Sequence, residues 1–248
     1  MPIMPSPFTK ETFRFFRELN RNNHKDWMDA NRDRYRQCIV QPFRRFLDDL
    51  CPQVLQLDPE FDVCGRTGAN FSRINRDIRF AKDKTLYKTR MYLKFQRPSP
   101  GDQETGQLYI GLSMNTVTAG FRIYCGSKRR DSLLATIAQP RVTANPRWLV
   151  GQRKRLNRKY ESYWYKTVKG EWTKHEGWPT DLEDWKKLRA WIVRRKMKPA
   201  DALRPAFPRQ ILNVFNDLYP LLKFTSIADE QRTGARERSK RDSSLRSE

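Results

Sequence analysis

The chain has 248 residues, of which 38% are apolar and 12% aromatic, enough to bury a sizeable core. It holds no run of 18 apolar residues, which excludes a membrane-spanning helix, and no membrane partner is expected. Its 50 Lys and Arg against 28 Asp and Glu leave a formal charge of +22, the footprint of a protein that attracts polyanions, RNA or DNA among them.

One domain is expected over residues 1–227, followed by a disordered, charged tail over 228–248. The first residues, MPIMPSPF, lack the basic and apolar regions of a secretory signal, so a cytoplasmic location is expected. Thr9 is placed to cap a first helix, with Phe8 and Phe13 as a hydrophobic staple and Phe16 continuing the stripe. After a break at NRNNHKDW, Trp27, Asn31, Tyr35 and Cys38 recur at helical spacing. Beyond Pro42, Phe43, Phe46, Leu50, Val54 and Leu57 do the same, and both sets are predicted to face the core.

From about residue 61 to 125 the period falls to two. Ile74, Ile78 and Phe80 make one run; Met91, Leu93 and Phe95 a second; Leu108, Ile110, Leu112 and Met114 a third; Phe121, Ile123 and Cys125 a fourth. Short runs with short, turn-rich connections predict an antiparallel meander. Helices return afterwards. Ser127 is placed to cap a segment with Leu134 and Ile137, and Asn145 precedes a proline, Pro146, in the first helical position. Thr180 with Glu183 has the spacing of a capping box ahead of Trp185, Leu188 and Ile192, and a last helix carries Leu212, Phe215 and Leu222. The predicted class is α+β: N-terminal helices, a central mainly antiparallel sheet, and C-terminal helices.

Several chemistries are excluded or unsupported. Cys38, Cys51, Cys64 and Cys125 never form a CxxC pair, so they are expected to be buried, reduced thiols. With His24 and His175 as the two histidines of the chain, a His-rich metal site is excluded and no metal ligands are assigned. There is no GxSxG elbow, no GxxxxGK[ST] loop and no GxGxxG fingerprint, so no cofactor is assigned.

The positive charge is concentrated. Residues 66–97 hold ten Lys/Arg and two Asp, and residues 147–198 hold sixteen Lys/Arg and six Asp/Glu. The second segment also carries Trp148, Trp164, Trp172, Trp178, Trp185 and Trp191, with Tyr160, Tyr163 and Tyr165. Rings among cations suit single-stranded nucleic acid, because bases stack on the rings while Lys and Arg neutralise the backbone. For Trp185 and Trp191 the plainer expectation is the core of an amphipathic helix.

The first segment contains RDIRFAKDKTLYKT, residues 76–89. If residues 71–80 and 87–95 pair as a hairpin, Ile74, Ile78, Phe80, Met91, Leu93 and Phe95 face the core. The opposite face then collects Arg73, Asn75, Asp77, Arg79, Lys88, Arg90, Tyr92 and Lys94, extended by Tyr109 and Tyr124. That crowding of cations calls for an anion above it, either a carboxylate from another element or a phosphate-bearing ligand. Asp77 and Asp83, surrounded by cations, should stay ionised, which suits them to orienting Arg79 or Lys84, or to helping hold a divalent metal, rather than to donating protons. Crowding of Lys82 or Lys84 could instead depress a lysine and make it a base or nucleophile.

NNHKDW and, some 50 residues later, RDIRFAKDKTLYKT resemble the conserved hypothetical proteins grouped as domain of unknown function 2461, whose usual signatures are NNxxxWF and RDxRFxxDKxPYK. The likeness runs from about Phe8 to Phe224. It picks out Asn23, Trp27, Arg76, Asp77, Arg79, Phe80, Asp83, Lys84, Tyr87 and Lys88; Met28 stands where the family usually has Phe, and Leu86 where it usually has Pro. The resemblance implies a site without implying a reaction. Three functions follow as expectations. The first is binding of an anionic ligand, nucleic acid foremost, through Arg73, Arg76, Arg79, Lys84, Lys88, Arg90 and Tyr92 and the Trp-rich segment. The second is an enzyme acting on an anionic substrate, with Asp77, Asp83, Lys84 and Tyr87 as candidate catalytic groups. The third is a scaffold in which these charges merely pair.

Overall fold

The computed structural model describes residues 5–79, 81–98, 106–124, 140–168 and 171–226. Phe80, Cys125, the expected helix start at Ser127 with Leu134 and Ile137, and the tail from 228 onward lie outside the described residues.

Helices open the chain. α1 (Lys10–Arg21) begins at Thr9, whose N–H donates to Thr12 Oγ1 at 3.3 Å, and it buries Phe13, Phe15, Phe16 and Leu19. The buried Thr12 hydroxyl donates in turn to the Cys38 carbonyl at 2.9 Å, so this polar group is satisfied inside the core. α2 (Lys25–Ala30) is capped by His24, whose Nδ1 accepts from the Trp27 N–H at 3.4 Å. α3 (Arg32–Tyr35), a π-helical turn (Arg36–Val40) and α4 (Gln41–Leu57) follow in close succession, with Pro42 in the first turn of α4. Later helices are α5 (Pro146–Leu156), α6 (Leu182–Lys186), α7 (Pro199–Ala202) and α8 (Phe207–Thr225).

Six strands hydrogen-bond in the order β1-β2-β3-β6-β4-β5, with β1 (Arg90–Phe95), β2 (Gln107–Ser113), β3 (Val117–Tyr124), β4 (Glu161–Val168), β5 (Glu171–Glu176) and β6 (Leu188–Met197). The architecture is α+β with helices toward both ends of the chain and a central antiparallel sheet, as the periodicity predicts. Among the described residues no helix is long and apolar enough to cross a membrane.

The chain folds into two compact units. The first comprises Met1–Gln96, Leu108–Gly120 and Arg194–Tyr219. Its core is phenylalanine-rich: Phe8 lies 5.1 Å from both Phe43 and Phe46, Phe46 stacks on Phe207 at 5.5 Å, and Phe95 meets Phe215 edge-on at 5.5 Å. Each such buried ring contributes about 1.5–3 kcal/mol relative to an exposed one. β1 and β2 pair antiparallel from Arg90↔Ser113 to Phe95↔Leu108, so Met91, Leu93 and Phe95 point to the core and Arg90, Tyr92 and Lys94 to the other face. On that other face Tyr109 is 3% exposed and packs on Tyr92.

Two further expectations in this unit are corrected. Trp27, Asn31, Tyr35 and Cys38 are half-buried, and Met28 and Ile39 are buried in their place. The helix breaks at Asn31 and then takes an i→i+5 turn, which shifts the buried face away from a continuous 3.6-residue stripe. Cys38 and Cys51 are half-buried free thiols, and Cys64 is exposed.

The second unit comprises Arg97–Gln107, Phe121–Val193 and Pro220–Glu248. Asn145 caps α5 as expected, its side chain accepting from the Trp148 N–H at 3.2 Å. The core is built on Trp191, which lies 5.1 Å from Trp178, 5.5 Å from Trp185 and 5.5 Å from Phe121. Trp191 Nε1 donates to Ser162 Oγ at 3.1 Å, and Trp178 Nε1 to Asn157 Oδ1 at 2.9 Å. Trp185 and Trp191 are core residues, as expected, but on different elements. The helix predicted from Thr180 is the short α6, capped by Asp181, and from Leu188 the chain is strand β6. Ala190 to Val193 are buried in succession, the pattern of a central strand covered on both faces, and Trp, Ile and Val favour that setting over a helix.

Candidate functional site

Residues 70–79 form no strand. They run antiparallel to residues 86–94 with bonds at intervals: Lys94 N–H to Asn70 O at 2.8 Å, Ser72 N–H to Tyr92 O at 3.0 Å, Lys88 N–H to Ile74 O at 2.8 Å and Arg76 N–H to Leu86 O at 2.9 Å. Bridges form at Phe71↔Leu93 and Asn75↔Tyr87. Between the second and third bonds, Thr89, Arg90 and Met91 oppose Arg73 alone, a bulge larger than the usual two residues against one. The expected hairpin would have paired even positions of one segment with odd positions of the other; Phe71 opposite Leu93 and Asn75 opposite Tyr87 give another register. Ile74 is still buried and Ile78 half-buried.

The two aspartates brace this loop. Asp77 takes Arg79 on both oxygens, Nε to Oδ1 at 3.0 Å and Nη2 to Oδ2 at 2.7 Å. Asp83 accepts from Arg76 Nη1 and, at 2.9 Å, from the Thr85 N–H. The Arg79 hydrogen bonds hold the Asp77 carboxyl below the usual carboxylate range, and Arg76 holds Asp83 down to about 2. Both are ionised, as expected, and both are exposed. Lys84 Nζ donates to the Ile78 carbonyl at 3.0 Å, closing the turn.

Tyr87 is the joint between the two sequence stretches. Its N–H donates to Asn23 Oδ1 and its carbonyl accepts from Asn23 Nδ2, both at 2.8 Å, so one side chain clamps both backbone polar groups of a buried residue. The Tyr87 phenol lies beside Arg32, whose guanidinium is held above its ordinary value first by a hydrogen bond to Asp29 at 2.7 Å and then by Tyr87. Trp27 acts at one remove: its ring lies 5.5 Å from Phe15, which lies 5.8 Å from Tyr35.

Arg32 and Tyr35 wall a cavity of about 300 Å³ in the first unit. Arg44 and Val40 complete the helical side, and Arg73 with Thr67, Ser72 and Asn75 forms the loop side. Phe71, Ile74 and Met91 supply an apolar surface. The π-helical turn matters here, because its i→i+5 step puts Tyr35 and Val40 on one side of the helix, and Arg44 follows one α-turn later. Among the described residues that wall the cavity there is no carboxylate and no histidine. Arg44 and Arg73 have no ion pair among the described residues, whereas Arg32 has Asp29. Burial pushes the Tyr35 phenol up, so it stays protonated and can donate.

The bulge gathers cations beside this cavity. Lys88 is held below its ordinary value by burial, and then by Arg90, Arg76 and Arg73. Burial outweighs the neighbouring cations in that shift. Arg90 lies 6.0 Å from the Tyr92 ring centroid.

Of the residues chosen from sequence, Arg73 walls the cavity and Tyr87 and Asn23 support it. Arg76, Asp77, Arg79, Asp83 and Lys84 tie the adjoining loop together, while Arg90 and Tyr92 lie on β1. Arg32, Tyr35 and Arg44 were missed as cavity-wall residues, and their helical spacing around a π turn carries no recognisable signal. Asn70 was also missed: fully buried, it accepts from the Gly65 N–H at 2.9 Å and donates to the Asp62 carbonyl at 2.6 Å, fixing the start of the loop.

Helices around an antiparallel sheet, with an asparagine-tryptophan turn clamped to a basic loop, define the class of protein. The chain belongs to the family of conserved hypothetical proteins called domain of unknown function 2461, whose model matches residues 11–224. No curated protein matches it.

Proposed function

We propose that the protein binds an anionic ligand in the cavity between Arg32, Arg44 and Arg73. The observation that carries this reading is that three arginines, Arg32 and Arg44 on the helical side and Arg73 on the loop side, line one cavity with no carboxylate among its lining residues. Guanidinium groups match oxyanions with paired donors, and each charged hydrogen bond is worth about 1.5–3 kcal/mol. Titration calorimetry with inorganic phosphate at fixed ionic strength tests it. Arg44→Ala or Arg73→Ala should weaken binding about ten- to a hundredfold, and Arg158→Ala, an exposed arginine at the end of α5, should not change it. Equal losses from all three variants would reduce the effect to bulk charge and remove the cavity from the account.

Asp77, Asp83 and Lys84 are engaged within their own loop, which supports a bracing role more than a reacting one. A second reading, single-stranded RNA or DNA, keeps one specific support. On the β4–β5 hairpin Tyr163 and Tyr165 lie 6.0 Å apart, Trp172 lies 6.1 Å from Tyr165, and Lys174 Nζ sits 4.7 Å over Tyr163. Trp172 is 47% exposed, whereas Trp164, Trp178, Trp185 and Trp191 are buried and Trp148 stacks on Phe224. Either ligand fits the expected cytoplasmic location.

A further inference from the structure

The cavity is more than a patch of charge, and its two kinds of wall specify a ligand more narrowly than "anion". We propose that it takes a phosphomonoester carried on a small apolar ring, an inference that rests on the reading of the cavity as an anion site. The charge count selects the anionic group. Arg32 is already paired with Asp29, while Arg44 and Arg73, both exposed, have no ion pair among the described residues, so two guanidinium groups stand open to an anion beside the cations of the bulge. A phosphomonoester carries close to two negative charges at neutral pH, its second ionisation lying near 6. A carboxylate or a phosphodiester carries one. Thr67, Ser72 and Asn75 add hydroxyl and amide groups on the loop side for the remaining phosphate oxygens.

The apolar wall selects the body. Phe71, Ile74 and Met91 are 3%, 9% and 4% exposed, so the cavity floor consists of core residues rather than of mobile surface chains. Over that buried floor Tyr35 and Val40 are half-buried on the helical side, and a ring covers the apolar surface they still expose, which bare phosphate leaves against water. Tyr35, protonated through burial, offers both a ring edge and a hydroxyl donor. A volume of about 300 Å³ lies at the small end for ligand sites, which limits the body to about one ring.

Phenyl phosphate, phenyl sulfate and inorganic phosphate, titrated calorimetrically into the full chain at pH 8, separate the elements of this inference. Phenyl sulfate has the same shape with one charge; inorganic phosphate has the charge without the ring. The expected order is phenyl phosphate at least tenfold tighter than either, with the advantage over phenyl sulfate lost in Arg44→Ala and in Arg73→Ala. Phenyl sulfate binding as tightly as phenyl phosphate overturns the dianion; inorganic phosphate binding as tightly overturns the ring and leaves the anion site standing. Failure of all three to bind overturns the anion site itself.

Discussion

Asn23 does for Tyr87 what a neighbouring strand would do: it satisfies both backbone groups of a residue whose segment pairs at isolated points. Removing both bonds in Asn23→Ala should cost about 2 kcal/mol, on the basis of roughly 1 kcal/mol per bond, measured by urea denaturation. Phosphate affinity should fall as well, because Tyr87 and Arg32 move together. Loss of stability with full affinity would separate the clamp from the cavity. Lys88 gives a pH test. Its folded value lies below its ordinary 10.5, so its charge penalises the fold at neutral pH, and that penalty fades as pH rises through the folded value toward 10.5. Lys88→Met should therefore be more stable than the parent at pH 7, by a few tenths of a kcal/mol after solvent screening, with the gap closing as pH rises. A gap that widens with pH would contradict the crowding. The ionised aspartates were legible from the charges around them. Arg32 and Arg44 were not, because nothing in a sequence shows which surface arginines end at one cavity.

At the scale of elements, β1 and β2 show how register and residue size cooperate. Tyr92 lies opposite Gly111, and a Cβ at Gly111 would stand 2.3 Å from the Tyr92 ring, so the missing side chain is what lets the ring cross the strand. Gly111→Ala should destabilise by about 1–3 kcal/mol, and combining it with Tyr92→Ser should recover most of that loss in a double-mutant cycle. Additive losses would mean that the ring is not the obstacle. Both strands were legible from strict alternation over Met91 to Phe95 and Leu108 to Leu112. Residues 71–79 alternate too, but alternation reports which side chains are buried and not whether backbones pair, and the bulge at Arg73 breaks the ladder. At 188–197 the opposite error arises: Trp185, Leu188 and Ile192 at helical intervals mimic a helix, and burial on both faces decides for a strand.

At the scale of the molecule, the +22 charge was legible from composition, and so was the family, from two long stretches whose residues meet at Asn23 and Tyr87. The distribution of rings was not, since four of the six tryptophans in 147–198 serve the core. If single strands bind the β4–β5 hairpin, log K should fall linearly with log salt by about 0.7 per phosphate neutralised. Trp172→Ala should then weaken an oligonucleotide by about 1–3 kcal/mol without changing that slope. An unchanged affinity would leave the hairpin without a nucleic-acid role. For the cavity, the most direct measurement is an anomalous difference map from crystals of the full chain grown with tungstate, a tetrahedral dianion. The expected result is a tungsten peak among the guanidinium groups of Arg32, Arg44 and Arg73, absent when Arg44→Ala and Arg73→Ala are combined. Tungstate bound elsewhere on the protein, with this cavity empty, would contradict it.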